Sequence, residues 1–218
     1  KITIDGPAAS GKSTVAKEVS KRLCLPYLNT GLVYRAFAYA FLREGLKTEK
    51  ELLELFKHPI HVMPEVGKTS VYYEKEEISE LLSSEEVGRT ASIIASYPSF
   101  RERINEFFRD LMKGKQFVAE GRDAGSFIFP DADIKFFITA SVEERAMRRY
   151  QQLKAQGIET TYEEILKALI ERDERDKNRP VYPFLPPKDA IVIDTTSLSV
   201  EEVVERVLSK IREYNGIP

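Results

Sequence analysis

Cysteine occurs once in this 218-residue chain, at Cys24. An intrachain disulfide is therefore excluded, as is a zinc site built on thiolates. Histidine occurs twice, at His58 and His61, and the pair reads as surface residues at a turn rather than as metal ligands. No apolar run reaches membrane-spanning length and no secretory pattern opens the sequence, so no membrane partner is expected and a cytoplasmic location is. Charge of one sign is not in excess: 33 Lys and Arg against 35 Asp and Glu give a net charge of −2. A basic field for gripping nucleic acid is thus missing, and no nucleic-acid partner is expected. The Asn-Lys-x-Asp motif by which GTPases read their base is also absent.

What is present begins with KITIDGPAASGKST. Ile2 and Ile4 form a short apolar β-run, a glycine loop follows, and Val15, Val19 and Leu23 then recur at helical spacing. Gly6 through Gly11, Lys12 and Ser13 complete a Walker A pattern. Its loop Gly6, Pro7, Ala8, Ala9, Ser10 and Gly11, with Lys12, Ser13 and Thr14, is expected to cradle a nucleoside triphosphate on backbone N–H groups at a helix N-terminus. Lys12 would reach the β- and γ-phosphates, and the Ser13 hydroxyl would be a Mg²⁺ ligand.

At the other end of the chain, residues 171–179 read ERDERDKNR, followed by Pro180. Alternating charge of this kind usually marks a solvated helix. Arg172, Asp176 and Arg179 nevertheless lie at i, i+4 and i+7, on one helical face, and two guanidinium groups around a carboxylate could hold a sugar and a phosphate. The run is expected to end near Arg179, before Pro180.

Between these poles the sequence alternates strand and helix. A short second strand at Pro26–Leu28 leads into a helix starting at Thr30-Gly31, which carries Tyr34 and Arg35. Arg35 either faces an acceptor's anion or is an ordinary surface residue. A helical pattern over Glu49–Lys57 precedes two short strands joined at Gly67-Lys68, a small insert read as a mobile cap. Two helices broken near Pro98 follow, then strands at about 116–120 and 134–139 with the loop Gly121-Arg122-Asp123-Ala124-Gly125 between them. Arg122 and Asp123 sit at the carboxyl end of a strand, where parallel sheets collect ligands. Ser141-x-x-Glu144, Thr161-x-x-Glu164 and Ser199-x-x-Glu202 mark helix starts. The last helix carries the apolar stripe Val200, Val203, Val204, Val207, Leu208 and Ile211. The alternation predicts an α/β fold on a doubly wound parallel sheet of about five strands.

The order of P-loop, LNTGLVYR, AEGRDAGSFIFPDA and ERDERDKNR resembles the bacterial cytidylate kinases of the nucleoside monophosphate kinase class, over essentially the whole length. The resemblance implies a P-loop kinase fold, a five-stranded parallel sheet flanked by helices. Its core would span 1–44 and 89–218, with a monophosphate-binding insert at about 45–88 and a lid at about 148–180. It implies transfer of the ATP γ-phosphoryl group to CMP or dCMP, with Mg²⁺, by a monomer. Thr30, Ser92, Arg101 and Asp123 match the family's cytosine-binding groups. Arg35, Arg122 and Arg179 match its phosphate-binding arginines, and Arg172 and Asp176 its ribose-binding pair. Arg122 and Arg179 are expected to join Lys12 in catalysis, while Arg145, Arg148 and Arg149 are candidate lid groups. The chain departs from the family pattern at Asn29 and Thr30 (often Asp and Ser) and at Ala124 (often Met). Glu120 also stands where some relatives have Asp, and it either binds Mg²⁺ through water or supports the site from behind. The rival readings are a small-molecule kinase for UMP, dTMP or an alcohol, and a nucleotide-hydrolysing switch.

Overall fold

The computed structural model describes residues 1–57, 60–179 and 182–214. His58 and Pro180, both singled out above, lie outside the described residues. Strand β1 (Ile2–Asp5) leads through the glycine loop into α1 (Lys12–Leu23), and β2 (Tyr27–Asn29) leads into α2 (Thr30–Arg43). The middle of the chain holds α3 (Glu49–Glu54), the antiparallel strands β3 (Ile60–Glu65), β4 (Lys68–Tyr73) and β5 (Glu76–Glu77), then α4 (Glu85–Ile94) and α5 (Pro98–Leu111). The remainder alternates β6 (Val118–Gly121), β7 (Ile134–Thr139), α6 (Val142–Ala155), α7 (Tyr162–Lys177), β8 (Ile191–Asp194) and α8 (Val200–Tyr214).

The expected parallel sheet is present, with five strands in the order β2-β6-β1-β7-β8. Central strand β1 is buried at all four positions, the polar Thr3 and Asp5 included, as befits a strand covered on both faces. After β1 the chain places β2 at the edge on one side, later fills β6 between the two, and then crosses to the other side with β7. The switch point therefore lies at the carboxyl end of β1, the crevice where such sheets take their ligands. Register brings three strand ends level there, since Asp5 pairs with Gly121 and Asn29 with Glu120.

Helix α8 packs its stripe under the sheet, with Val203, Val204, Val207, Leu208 and Ile211 buried; each such side chain contributes about 1.5–3 kcal/mol. Val200, expected in that stripe, is instead largely exposed at the first turn. Helix α7 stops at Lys177, two residues before the point suggested by Pro180, so Arg179 lies beyond the helix rather than on its face. The Thr161 and Ser199 boxes form completely. The Ser141 box forms only half: Ser141 accepts from the Glu144 N–H, but the Glu144 carboxylate is drawn to Arg148 at 2.8 Å.

The insert is fastened to the core rather than hung from it. Thr69 on β4 donates from its hydroxyl to the Tyr27 carbonyl (2.7 Å) and accepts from the Asn29 N–H (2.9 Å), which ties the small sheet to the edge of the large one. Gly67 donates its N–H to the Ser20 hydroxyl at 2.9 Å. A single apolar cluster runs from Leu52, Val71, Tyr73 and Ile78 of the insert to Phe37, Phe100 and Phe108 of the core helices. Tyr73 packs there, and His61 is exposed as expected but lies on β3 rather than at a turn.

Candidate active site

One deep cleft runs from the glycine loop to the end of α7, and the site residues expected from the sequence line it, except Gly6, Pro7 and Asp176. Its walls include Ala8 through Thr14, Thr30, Arg35, Ser92, Arg101, Arg122, Asp123, Arg172 and Arg179.

At the glycine-loop end, Gly6 has no substitute: a Cβ there would stand 2.1 Å from the Ile138 carbonyl oxygen. Gly11 turns the chain into α1 with φ +86, a left-handed conformation that glycine adopts without steric cost. Lys12 lies along the loop and donates to the Pro7 carbonyl at 3.2 Å. Its pKa falls to about 8 from an ordinary 10.5 because burial at the cleft floor disfavours the ammonium, with Arg122 and Arg172 adding to the effect against Glu120 and Asp5. Bound triphosphate would restore the ammonium, so ATP affinity is expected to hold steady below pH 8 and to weaken above it, approaching about tenfold per pH unit. Calorimetric titration at pH 7, 8 and 9 measures this; a constant affinity would refute it. Without nucleotide the same shift makes folding stability rise between about pH 8 and 10.5, where the unfolded chain holds the extra proton.

Glu120 organises the floor of the site. Its Oε1 accepts from the Ser13 hydroxyl (2.8 Å) and from buried Tyr27 (2.9 Å), while Oε2 is buried with no hydrogen-bond partner among the described residues. A hydroxyl and a half-satisfied carboxylate form a hard oxygen set suited to Mg²⁺. Among the described residues no cluster of three or more His, Cys, Asp or Glu offers a fuller cage. Such a sparse set suits an ion that also keeps waters and phosphate oxygens.

At the other end of the cleft, Arg101 and Asp123 form a buried ion pair, and the Arg101 Nη1 also donates to Tyr34 at 2.6 Å. Arg122 Nε stands 3.1 Å from one oxygen of buried Asp176, although without hydrogen-bond alignment, and Arg179 Nη2 donates to the other at 2.5 Å. The expected gathering of Arg172, Asp176 and Arg179 thus survives the early end of α7. Arg35 is held by the carbonyls of Leu82 (2.8 Å) and Ser84 (3.3 Å), so the insert's last turn sets its position. Burial lowers the pKa of Arg35, Arg122 and Arg172, and neighbouring guanidinium groups lower each further. A cluster of mutually repelling, desolvated cations gains from an anion among them.

Thr30 donates its hydroxyl to the Glu120 carbonyl at 2.8 Å, which leaves the oxygen's lone pairs as its remaining capacity toward a ligand. The three arginines of α6 divide. Arg145 donates to the carbonyls of Ala140 and Ala8 and pairs with Asp173, and Arg148 donates to Ser10 and Thr195 carbonyls. Both therefore brace the glycine loop from outside. Arg149 lines the cleft and donates to the Gln152 side chain at 2.9 Å.

The family profile described as "Cytidylate kinase" matches residues 2–213. The chain belongs to the cytidylate kinase family. The cytidylate kinase of Aquifex aeolicus (strain VF5) is 56% identical over 214 residues, covering 98% of this chain and 96% of that protein. The cytidylate kinase of Caldanaerobacter subterraneus subsp. tengcongensis is 43% identical over 216 residues, covering 98% and 95%. Among solved structures, a shikimate kinase from Bacteroides thetaiotaomicron matches with a TM-score of 0.50 at 15% identity, over 97% of each chain. An uncharacterized protein from Eubacterium ventriosum matches at 0.51 and 16%, over 96% of each. At those identities the likeness is one of fold.

For this member of the cytidylate kinase family, the structure adds a residue that sequence reasoning passed over. Asp5, at the end of β1, accepts from the N–H groups of Ala124 (2.9 Å) and Gly125 (2.7 Å). It thereby fixes the loop that presents Arg122 and Asp123. Burial raises its pKa to about 6 despite those two donors. A lone acid after an apolar strand was its only signal in the sequence.

Proposed function

We propose that this chain transfers the γ-phosphoryl group of ATP to CMP or dCMP by direct in-line attack. The observation that carries the reading is the Arg101–Asp123 pair on the wall of the same cleft that holds Lys12 and five further arginines. A carboxylate accepts from the exocyclic amine of cytosine, whereas uracil and thymine present an oxygen there and leave it unpartnered. Arg101 and Ser92 supply donors to the ring's acceptors. Arg35, Arg122 and Arg179 would take the monophosphate, and Arg172 with Asp176 the ribose hydroxyls.

The acceptor oxygen is already an anion, so no general base is needed. Catalysis then comes from positioning and from charge placed where it develops. Lys12 holds the β- and γ-phosphates, while Arg122 and Arg179 neutralise the acceptor's charge as the two nucleotides meet. Ser13 would hold Mg²⁺ directly and Glu120 through water; bound there, the ion offsets charge on the β- and γ-oxygens. The segment 45–88 serves as the acceptor-binding insert and 148–180 as the lid, with Arg149 the α6 arginine placed to reach the triphosphate. Monomeric action in the cytoplasm completes the reading.

An ADP-coupled assay over CMP, dCMP, UMP and dTMP with ATP tests it. The cytosine nucleotides are expected to exceed the others in kcat/KM by about 10²-fold or more. Higher kcat/KM for UMP or dTMP, or ATP consumption that ignores the monophosphate, would overturn the assignment.

A further inference from the structure

The segment after α7 returns to the acceptor site and is pinned there twice. Phe184 donates its N–H to the Asp176 carbonyl at 2.9 Å and lays its ring 5.4 Å from Phe137. Tyr182 lies over Arg101, with the guanidinium carbon 4.7 Å from its ring centre. Phe127 meets Tyr182 edge-on, at 4.8 Å and 87°. To reach this place Tyr182 adopts φ +58, a left-handed backbone that a bulky aromatic residue rarely takes. Strain of that kind persists only where the surroundings hold it.

The contacts form a closed circuit. Asp123 pairs with Arg101, Arg101 stacks on Tyr182, and Tyr182 rests on Phe127. Phe127 returns its N–H to the Asp123 carbonyl at 2.9 Å, through the π-helical turn Ala124–Ile128. Tyr182 is not among the residues lining the cleft, whereas Arg101 and Asp123 are. Its ring therefore acts behind the recognising pair and not on the ligand. A guanidinium is directional only when its plane is fixed, and an aromatic face beneath it supplies that constraint.

We infer that Tyr182 is a positioning residue for acceptor-base recognition, holding the Arg101 plane against Asp123. The inference rests on the cytidine monophosphate reading of the cleft. It is tested on the full chain by calorimetric CMP titration, steady-state kinetics and thermal melting of Tyr182→Phe, Tyr182→Gly and Phe127→Leu. Tyr182→Gly is expected to raise the CMP Kd and KM about five- to tenfold, with kcat and the KM for ATP within about twofold. Its Tm should fall only modestly, because relief of the left-handed strain offsets part of the lost ring contacts. Tyr182→Phe keeps the ring and should bind CMP like the parent chain, while Phe127→Leu should weaken CMP about two- to threefold. Unchanged CMP affinity in Tyr182→Gly overturns the inference. So does a loss in Tyr182→Phe equal to that in Tyr182→Gly, or a parallel loss of Tm, CMP affinity and ATP affinity. A parent chain that fails to bind CMP overturns the reading of the cleft itself, and this inference with it.

Discussion

Replacing Lys12 by alanine is expected to lower kcat by about 10²–10³-fold, the usual cost of removing one preorganised charge from a transition state. Circular dichroism and Tm should stay close to those of the parent chain. The physical reason is the one that depresses the lysine's pKa. Its ammonium is desolvated at the cleft floor before any ligand arrives, so folding gains little from it and the triphosphate gains much. Stopped assays at saturating ATP and CMP measure the effect. Turnover within about tenfold of the parent would remove Lys12 from the γ-phosphate.

Asp123→Ala should have the second large effect, and it should divide the two substrates. Loss of the carboxylate removes the acceptor for the cytosine amine, and kcat/KM for CMP is expected to fall by about 10²–10³-fold. The KM for ATP should move by less than about threefold, since the P-loop is fixed by Glu120 and α6 rather than by Asp123. Stability should fall as well. Arg101 is 3% exposed, and breaking a buried pair on one side costs about 3–5 kcal/mol. At this chain length that corresponds to a Tm about 6–20 °C lower. Asp123→Asn keeps the shape and restores part of the stability, but offers cytosine a donor as well as an acceptor. An equal loss on CMP and ATP in both variants would argue against base reading.

The sequence made most of the fold legible because its signals are local. The apolar run before a glycine loop fixed β1, the 134–139 run coincides with β7, and the Thr161 box opens α7 where expected. The Walker A loop carried the donor site almost alone. Other features depend on contacts between distant segments, which no local pattern records. The half-formed Ser141 box follows from competition by Arg148 for Glu144. Asp5 acquires its role only because β1 and β6 end level, so that it faces the Ala124 and Gly125 amides. Tyr182 carries no local signal, because its role rests on Phe127, which a distant π-helical turn sets against it. The acceptor arginines lay between these cases: their spacing suggested a common face, yet Arg179 reaches Asp176 from beyond the helix end.

The way β4 is tied to β2 limits how the enzyme can be rebuilt. Thr69 commits both the proton and a lone pair of its hydroxyl to β2, and the phenylalanines of α2 and α5 belong to the same apolar cluster as Val71 and Ile78. Calorimetry should accordingly find one heat-absorption peak for the whole chain. Swapping the 45–88 stretch into another scaffold would work only if Phe37 and Phe100 travelled with it.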